Sequence, residues 1–280
     1  MHEILSDLPG GAYVLDLGSS HGSFDPNCTQ AIVVRLDREA FTKIGGAHCV
    51  QGDAAHLPFR NGQFASVIAN HSLEHFDKLN EALQEVGRVL TSSGSLFVSV
   101  PDASTFTDKL YRWLARGGGH VNQFTSVTSL LSLIEQVTGL KHVATKSLYS
   151  SLSFLNRNNA PKPRPKRLFL LGGGAEWSLF LFAWFSRRLD RLFHSRISIY
   201  GWAIYFGRIP SPIHRGASIN VCIRCGSGHP SLYLLTHSGV QKRFGLRVYH
   251  CPRCAALNPF ADDHSLECHP PADNLIPKED

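Results

Sequence analysis

The stretch Val14-Leu15-Asp16-Leu17-Gly18-Ser19-Ser20-His21-Gly22 joins a short apolar run to a turn that contains two glycines. An apolar run of this length that ends at glycines is typical of a buried parallel strand. Small residues in such a turn let the backbone approach a ligand closely, and a turn of this kind after a strand is a general nucleotide-binding arrangement. We therefore interpret this stretch as the first strand and turn of a nucleotide-binding sheet.

Further apolar runs follow at regular intervals and alternate with segments of helical periodicity. We predict strands at 31–37, 48–53, 64–70 and 95–100, a helix at 79–90 between the last two, then a helix at 126–137 and strands near 140–148 and 197–206. Strands that alternate with helices predict an α/β fold, with a doubly wound, Rossmann-like parallel sheet that binds its ligand at the carboxyl ends of the strands.

Polar side chains stand where these strands end. Asp37 ends the second strand, 21 positions after Asp16, and Asp53 and Asn70 end the third and fourth. A carboxylate at the end of the second strand accepts hydrogen bonds from ribose hydroxyls, a feature that dehydrogenases share. The glycines, however, are spaced as Gly18-x-x-x-Gly22 and not as the G-x-G-x-x-G of dinucleotide enzymes.

Four motifs in order narrow the ligand further. They are Leu15-Asp16-Leu17-Gly18, Gly52-Asp53-Ala54 with Leu57-Pro58-Phe59, Leu73-Glu74-His75, and Arg88-Val89-Leu90. With these motifs the chain resembles the class I S-adenosylmethionine-dependent methyltransferases, in the branch that acts on small molecules. The resemblance covers about residues 10–149, with a final strand at 200–208, and implies a methyltransferase domain over residues 1–209.

The resemblance also implies which residues hold S-adenosylmethionine. The turn would hold the amino-acid part of the cofactor, Asp37 the ribose and Asp53 with Ala54 the adenine, while Asn70 would line the floor. The turn residues concerned are Asp16, Gly18, Ser19, Ser20 and Gly22. Ser20 stands where the family more usually has glycine, and this change is expected to alter cofactor affinity.

Two histidines are candidates for the chemistry. Methyl transfer is an in-line displacement, in which the enzyme aligns the acceptor and, where needed, removes a proton. His71 follows the fourth strand directly. His120 precedes Phe124-Thr125 in a segment that resembles one found in methyltransferases of glycan and other secondary biosynthetic pathways, and this resemblance would place His120 at the substrate mouth. A structural role is the alternative for each. His75, in the Leu-Glu-His motif, is expected to be structural.

Two Cys-x-x-Cys pairs indicate a metal site near the end of the chain. Cys222 and Cys225 are separated by 25 residues from Cys251 and Cys254. Two such pairs at this distance suit tetrahedral zinc, and four thiolates would make the metal structural because no coordination position stays open. We predict a zinc-ribbon-like module over 216–258 with strands at 231–235 and 246–249; a redox-active pair is the alternative.

The charge distribution and one aromatic segment bear on the acceptor and on location. The net charge is +6, and residues 141–209 alone carry 12 Lys and Arg against 2 Asp and Glu. We interpret the basic, aromatic region 150–195 as a lid or insertion that helps a greasy anionic acceptor dock or touches a membrane surface; a buried helix is the alternative. No run approaches the apolar length of a membrane span, and the first residues lack the basic start and apolar run typical of a signal peptide. We therefore expect a cytoplasmic protein, peripheral to the membrane if this region docks there. Residues 259–280 are expected to form a disordered tail.

Three functions are compatible with this sequence. The favoured one transfers a methyl group from S-adenosylmethionine to an oxygen or carbon of a small-molecule, sugar or lipid-linked acceptor. The second is an RNA methyltransferase that uses the basic region and the zinc ribbon, since nucleic acid is a natural partner for such charge. The third is a non-catalytic scaffold that binds S-adenosylmethionine.

Overall fold

A nine-stranded mixed sheet forms the centre of the chain in a computed structural model, which describes residues 1–20, 22–39, 46–114, 119–156, 174–209, 218–243 and 245–261. Its strands are β1 Tyr13–Leu17, β2 Ile32–Asp37, β3 His48–Gln51, β4 Phe64–Asn70, β5 Leu90–Pro101, β6 His142–Tyr149, β7 Ile199–Gly207, β8 Ile219–Val221 and β9 Gly228–Pro230. A second sheet contains β10 Gln241–Arg243, β11 Leu246–His250 and β12 Leu257–Pro259. The helices are α1 His2–Leu5, α2 Leu79–Val89, α3 Phe106–Leu114, α4 Val127–Thr138, α5 Glu176–Phe193 and α6 Ser231–His237.

The strand order β3-β2-β1-β4-β5-β7-β6-β8-β9 confirms the predicted Rossmann-like sheet. The first five strands in this order are parallel, so the carboxyl ends of β1 to β4 meet at one edge. β7 runs antiparallel between β5 and β6. The order reverses beside β1, and ligands bind at such a reversal in open α/β sheets.

The two faces of the sheet are covered differently. Alternate residues of the strands pack on α2 and α4 through Leu83, Val86, Leu130 and Ile134, which are all buried. The other face is covered in part by the short helix α1. Between β1 and β2 the described residues form only a short 3₁₀ turn, Pro26–Cys28, where a doubly wound sheet ordinarily carries a helix. This face therefore leaves space beside the carboxyl end of β1.

The cysteine module is joined to the main sheet. β8 pairs with the parallel strand β6, with Leu148 opposite Ile219, and β9 returns antiparallel to β8. Residues 231–235, which we predicted as a strand, belong to α6 instead. Ser231 and Leu234 are both buried while Leu232, Tyr233 and Leu235 are exposed, the three-residue spacing of a helix with one buried side.

Parts of the predicted lid, linker and tail lie outside the residues that the structure describes. His21, the segment 157–173 that includes most of the basic linker, and residues 262–280 lie outside the described residues. Phe260 and Ala261, at the start of the predicted tail, are buried. No helix in the described ranges combines the length and the apolar character that crossing a membrane requires.

Candidate functional site

The turn after β1 has the backbone conformation that its glycines predict. Gly18 has φ +64° and Gly22 has φ +101°, values that a residue with a Cβ adopts only under strain. A Cβ on Gly18 would lie 2.7 Å from the Cβ of Ser72, so a larger residue would displace the segment after β4. The non-glycine Ser20 also takes a left-handed conformation, at φ +46°, which explains why glycine suits this position. The turn is thus a close-fitting cradle.

Asp16 lies beneath this turn in a buried ion pair that the sequence did not reveal. It accepts a hydrogen bond from the backbone N–H of Ser23 at 2.9 Å, and its Oδ2 lies 3.4 Å from Nε of Arg35. Arg35 is buried as well and donates from Nη2 to the carbonyl oxygen of Phe24 at 2.6 Å. Burial raises the pKa of Asp16, and the Ser23 and Arg35 contacts oppose that rise.

The two other predicted carboxylates lie at the ends of neighbouring strands. Asp37, at the end of β2, accepts hydrogen bonds from the N–H groups of Ser20 at 2.7 Å and Glu39 at 3.1 Å. Asp53, beyond β3, accepts from the N–H of Ala55 at 3.0 Å. The Ala55 hydrogen bond contributes most to lowering the pKa of Asp53. The lowered pKa keeps Asp53 ionised near neutral pH. Both side chains present carboxylate oxygens at the strand ends, where they can accept hydrogen bonds from hydroxyl and amino groups.

Several polar atoms around the turn are buried without a hydrogen-bond partner in the described part of the chain. They are Oδ1 of Asp16 and the hydroxyl oxygens of Ser19 and Ser72. Because an unsatisfied buried polar atom is costly, such atoms fit a ligand that supplies the missing partners. Asn70, at the end of β4, accepts a hydrogen bond from the hydroxyl of Ser99 at 2.7 Å and so has a fixed orientation.

Arg88 on α2 fixes the loop that contains the predicted adenine-binding residues. Its guanidinium donates to the carbonyl oxygens of Leu57 at 3.0 Å and Phe59 at 2.8 Å, and it is paired with Glu85 at 2.7 Å. Glu85 in turn accepts from the N–H of Leu57 at 2.7 Å. The Arg of the Arg-Val-Leu motif therefore supports the loop after β3 from a distance of about thirty residues in sequence.

We expect Arg88→Ala to lower the free energy of unfolding by about 1–2 kcal/mol, because it removes charge-assisted hydrogen bonds from a partly exposed site. It should also loosen the loop that contains the predicted adenine-binding residues, Asp53 and Ala54, and so weaken binding of S-adenosylmethionine several-fold. Urea unfolding and titration calorimetry measure the two effects. Arg60→Ala, in the same region but exposed, is the control and should change neither quantity. Equal cofactor affinity in both variants would contradict the role given to Arg88.

His71 stands at the carboxyl end of β4 in a constrained position. Its φ is +53°, and its N–H donates to the backbone oxygen of Ser99 at 3.0 Å. The imidazole lies 5.3 Å from the ring of Tyr200, and its Nδ1 lies 3.6 Å from a carboxylate oxygen of the buried Glu74. Strained non-glycine residues of this kind cluster at functional sites. Glu74 and Tyr200 were not predicted as site residues; Glu74 stood in the Leu-Glu-His motif, whereas nothing local marked Tyr200.

His120, the second candidate for the chemistry, lies beside His75. The two rings are 5.0 Å apart, and a second contact places the ring of Tyr111 5.2 Å from His120. Nδ1 of His120 lies 3.9 Å from the buried carboxylate of Asp108. Burial lowers the pKa of His120 and so favours its neutral form.

A cavity of about 670 Å³ opens on the sheet face that α1 covers only in part. It extends from the turn after β1, where the cofactor is expected to bind (the cofactor turn), and from His71 to the first cysteine pair. Its lining includes Gly22, Asn70, His71, Tyr200, Phe154 and His229. A volume of this size is within the range of small-molecule sites. The sequence could not predict it, because it depends on the segment between β1 and β2 and on the pairing of β8 with β6.

The four predicted cysteines converge, as their spacing predicts. Their sulfur atoms all lie within 4.8 Å of one another, with Cys222 Sγ 3.5 Å from Cys254 Sγ and Cys225 Sγ 3.7 Å from Cys251 Sγ. Four thiolates at about 2.3 Å from a central zinc stand about 3.8 Å apart, so the arrangement fits a tetrahedral ion. His229 Nε2 lies 3.4 Å from Cys251 Sγ, outside this set.

Comparison with known proteins finds a family model and a curated relative that are similar to parts of this chain. Residues 15–98 match the family model described as a methyltransferase domain. The chain is 26% identical over 147 residues to a malonyl-[acyl-carrier protein] O-methyltransferase from Enterobacter lignolyticus, a match that covers 49% of this chain and 59% of the relative.

Solved structures with a similar arrangement have low sequence identity. A methyltransferase-like protein from Bacillus halodurans is 18% identical, with a TM-score of 0.48, and the match covers 74% of this chain and 96% of that one. The YcgJ protein from Bacillus subtilis is 20% identical with a TM-score of 0.48, over 72% of this chain and 94% of that one.

Proposed function

We propose that this chain is a class I S-adenosylmethionine-dependent methyltransferase and that it transfers the cofactor's methyl group to an oxygen or carbon of a small-molecule, sugar or lipid-linked acceptor. The chain spans only 59% of the length of the curated relative it matches. Support for the class of acceptor therefore comes from the residues of the site. The observation that carries the proposal is the cavity of about 670 Å³ that joins the cofactor turn to His71 and Tyr200.

The turn and the ends of β2 to β4 would hold S-adenosylmethionine. Bound there, the cofactor supplies a methyl group on a positively charged sulfur. Asp37 accepts from the ribose, Asp53 and the backbone of Ala54 bind the adenine, and the buried oxygens of Asp16 and Ser19 face the amino-acid part. The remaining contacts come from Gly18, Ser20, Gly22 and Asn70. The unpartnered atoms of Asp16 and Ser19 support this assignment.

His71 would remove the acceptor's proton. It lines the cavity, and Glu74 near its Nδ1 would hold the ring so that Nε2 is free to accept a proton. A hydroxyl or an acidic carbon needs such a base, and a histidine is suited to the task near neutral pH. The relative is by name an O-methyltransferase, which supports an oxygen acceptor. His120, away from the described cavity wall, is the second candidate for a direct role.

The four cysteines would bind a structural zinc ion. Their separations suit four thiolates around one ion, and the ion would have no open coordination position for a substrate. The first pair contributes Cys225 and Gly226 to the cavity wall, so the ion would also fix one end of the acceptor cavity.

The helix α5 would contact a membrane surface and bring a lipid-linked acceptor to the site. Large apolar side chains are exposed along it at Trp177, Leu181, Phe185, Leu192 and Phe193. The opposite side of the helix packs on the protein, where Leu179 and Ala183 are buried. An exposed apolar row on a helix within a basic region is typical of an interfacial element.

Tritiated S-adenosylmethionine tests the acceptor class directly. We expect the protein to label small polar or lipid material in fractionated cell extract, and His71→Asn to reduce that labelling by about 10²–10⁴-fold with cofactor affinity preserved. His237→Asn, on the exposed helix α6, is the matched control. Label that enters RNA alone would replace this function by RNA methylation, and failure to bind S-adenosylmethionine in calorimetry would favour a scaffold.

A further inference from the structure

Glu74, His75 and His120 bring three metal-binding groups to one place outside the cysteine module. One ligand atom of each residue lies within 4.8 Å of the other two. We infer that these three side chains bind a divalent first-row cation beside the cofactor turn. Two imidazoles and one carboxylate form a donor set that suits zinc, iron, manganese or cobalt and leaves coordination positions open.

The distant histidine is held in place by a set of backbone contacts. The N–H groups of Val121 and Asn122 both donate to the carbonyl oxygen of Glu74, at 2.8 and 2.9 Å. The side chain of Asn122 donates to the carbonyl oxygens of Leu73 and Phe76, at 2.9 and 2.7 Å. The segment that contains His120 is therefore attached along the whole Leu-Glu-His turn, and the three ligands are preorganised.

Both histidines have one ring nitrogen near an acceptor. Nδ1 of His75 lies 2.9 Å from the carbonyl oxygen of Gly119 and must donate to it, because a carbonyl oxygen only accepts. Nδ1 of His120 lies 3.9 Å from a carboxylate oxygen of Asp108, which is too long for a hydrogen bond. Metal-binding histidines ordinarily donate the second N–H to a carbonyl or carboxylate, and in His75 this hydrogen bond fixes the tautomer and leaves Nε2 for the ion.

Glu74 supplies the independent reason to expect a cation. Its side chain is 2% exposed, and its Oε2 is buried without a hydrogen-bond partner in the described part of the chain. Its other oxygen, Oε1, lies 3.6 Å from Nδ1 of His71, which is beyond hydrogen-bond distance. A buried carboxylate with one unsatisfied oxygen is expensive, and a coordinated cation removes that cost.

The position of the cluster gives the ion a role. A Cβ on Gly18 would touch Ser72 and Phe76, so the turn that carries Glu74 and His75 lies directly against the cofactor turn. A cation there would hold the Leu-Glu-His turn against the cofactor turn and, through Glu74, beside His71 of the cavity wall. Any effect of the cation on methyl transfer rests on the proposed function, whereas binding of the cation does not.

Manganese binding followed by electron paramagnetic resonance tests the inference. Mn²⁺ prefers nitrogen and oxygen ligands, so zinc in the thiolate site is not displaced. We expect the zinc-loaded protein to bind one Mn²⁺ per chain, and Glu74→Gln, His75→Ala and His120→Ala each to weaken that binding by about tenfold or more. His237→Ala should bind as the wild type does, and circular dichroism shows which variants are folded.

Each result decides the matter. Wild-type protein that holds neither Mn²⁺ nor a second zinc overturns the inference, as do folded Glu74→Gln and His75→Ala variants with unchanged binding. His75 is exposed, so its alanine variant keeps the test open even where another substitution disturbs folding. Calorimetry with S-adenosylmethionine on the same samples separates the two proposals. Wild-type protein that binds the cation but not S-adenosylmethionine contradicts the proposed function and leaves the cation site standing.

Discussion

Cys251→Ser is expected to abolish zinc binding at the cysteine site and to lower the melting temperature by roughly 10 °C or more. The Cys251 side chain is buried, and its sulfur lies 3.7 Å from that of Cys225. Structural zinc sites contribute about 10–16 kcal/mol of binding free energy in isolated modules, so loss of one ligand removes a large part of the local stability. A loss of a few kcal/mol corresponds to a shift of this size in a chain of this length.

The effect should extend from the cysteine module into the acceptor cavity. Cys222 and Cys251 belong to one buried cluster with Leu234, Tyr249 and Phe260. Strand β8 connects this cluster to β6 of the main sheet, and Cys225 lines the cavity. We therefore expect methyl transfer to fall more than affinity for S-adenosylmethionine, whose site lies at the other end of the cavity.

Cobalt substitution and differential scanning calorimetry measure both parts of this prediction. Cobalt in a four-thiolate site gives strong sulfur-to-metal charge-transfer absorption, which Cys251→Ser should lose. Cys49→Ser is the control, because Cys49 is exposed on β3. A Cys251→Ser protein that keeps both the wild-type metal content and the wild-type melting temperature would contradict a structural metal site.

Features encoded by neighbouring residues could be predicted from the sequence. The strand β4 has the predicted bounds, and β1 and β2 differ from prediction by one residue, because buried parallel strands are continuous apolar runs. The cysteine cluster could also be predicted, because each Cys-x-x-Cys turn offers two thiolates and a tetrahedral ion takes four. The predicted strand at 231–235 was wrong because a short apolar run does not distinguish a strand from a helix.

Features that depend on distant contacts could not be predicted. Glu74 and His120 are 46 positions apart, and the backbone bonds from Val121 and Asn122 to Glu74 bring them together. Arg35 stands in the middle of an apolar strand, where its charge gave no indication of a partner. Its partner Asp16 is on the neighbouring strand in register, so only the sheet pairing reveals the ion pair.

Arg35→Met is expected to lower the free energy of unfolding by about 3–5 kcal/mol, because it leaves the buried Asp16 carboxylate without its cationic partner. Methionine has a similar length and fills most of the space, so the lost charge and not a cavity dominates the cost. The guanidinium also donates to the carbonyl oxygen of Phe24, and that bond is lost too. Urea unfolding of the cofactor-free protein measures the change, with Arg60→Met as an exposed control.

A double variant and the pH dependence identify the cause of the instability. Asp16→Asn removes the uncompensated charge, so Arg35→Met with Asp16→Asn should be more stable than Arg35→Met alone. Burial already raises the pKa of Asp16, and loss of Arg35 raises it further. A carboxyl group whose folded pKa is raised costs stability above that pKa, and the cost disappears as the pH falls and the group is protonated. The loss of unfolding free energy in Arg35→Met should therefore shrink in mildly acidic solution. A loss that does not depend on pH and that Asp16→Asn does not relieve would instead mean that Arg35 stabilises the turn through packing and the Phe24 contact alone.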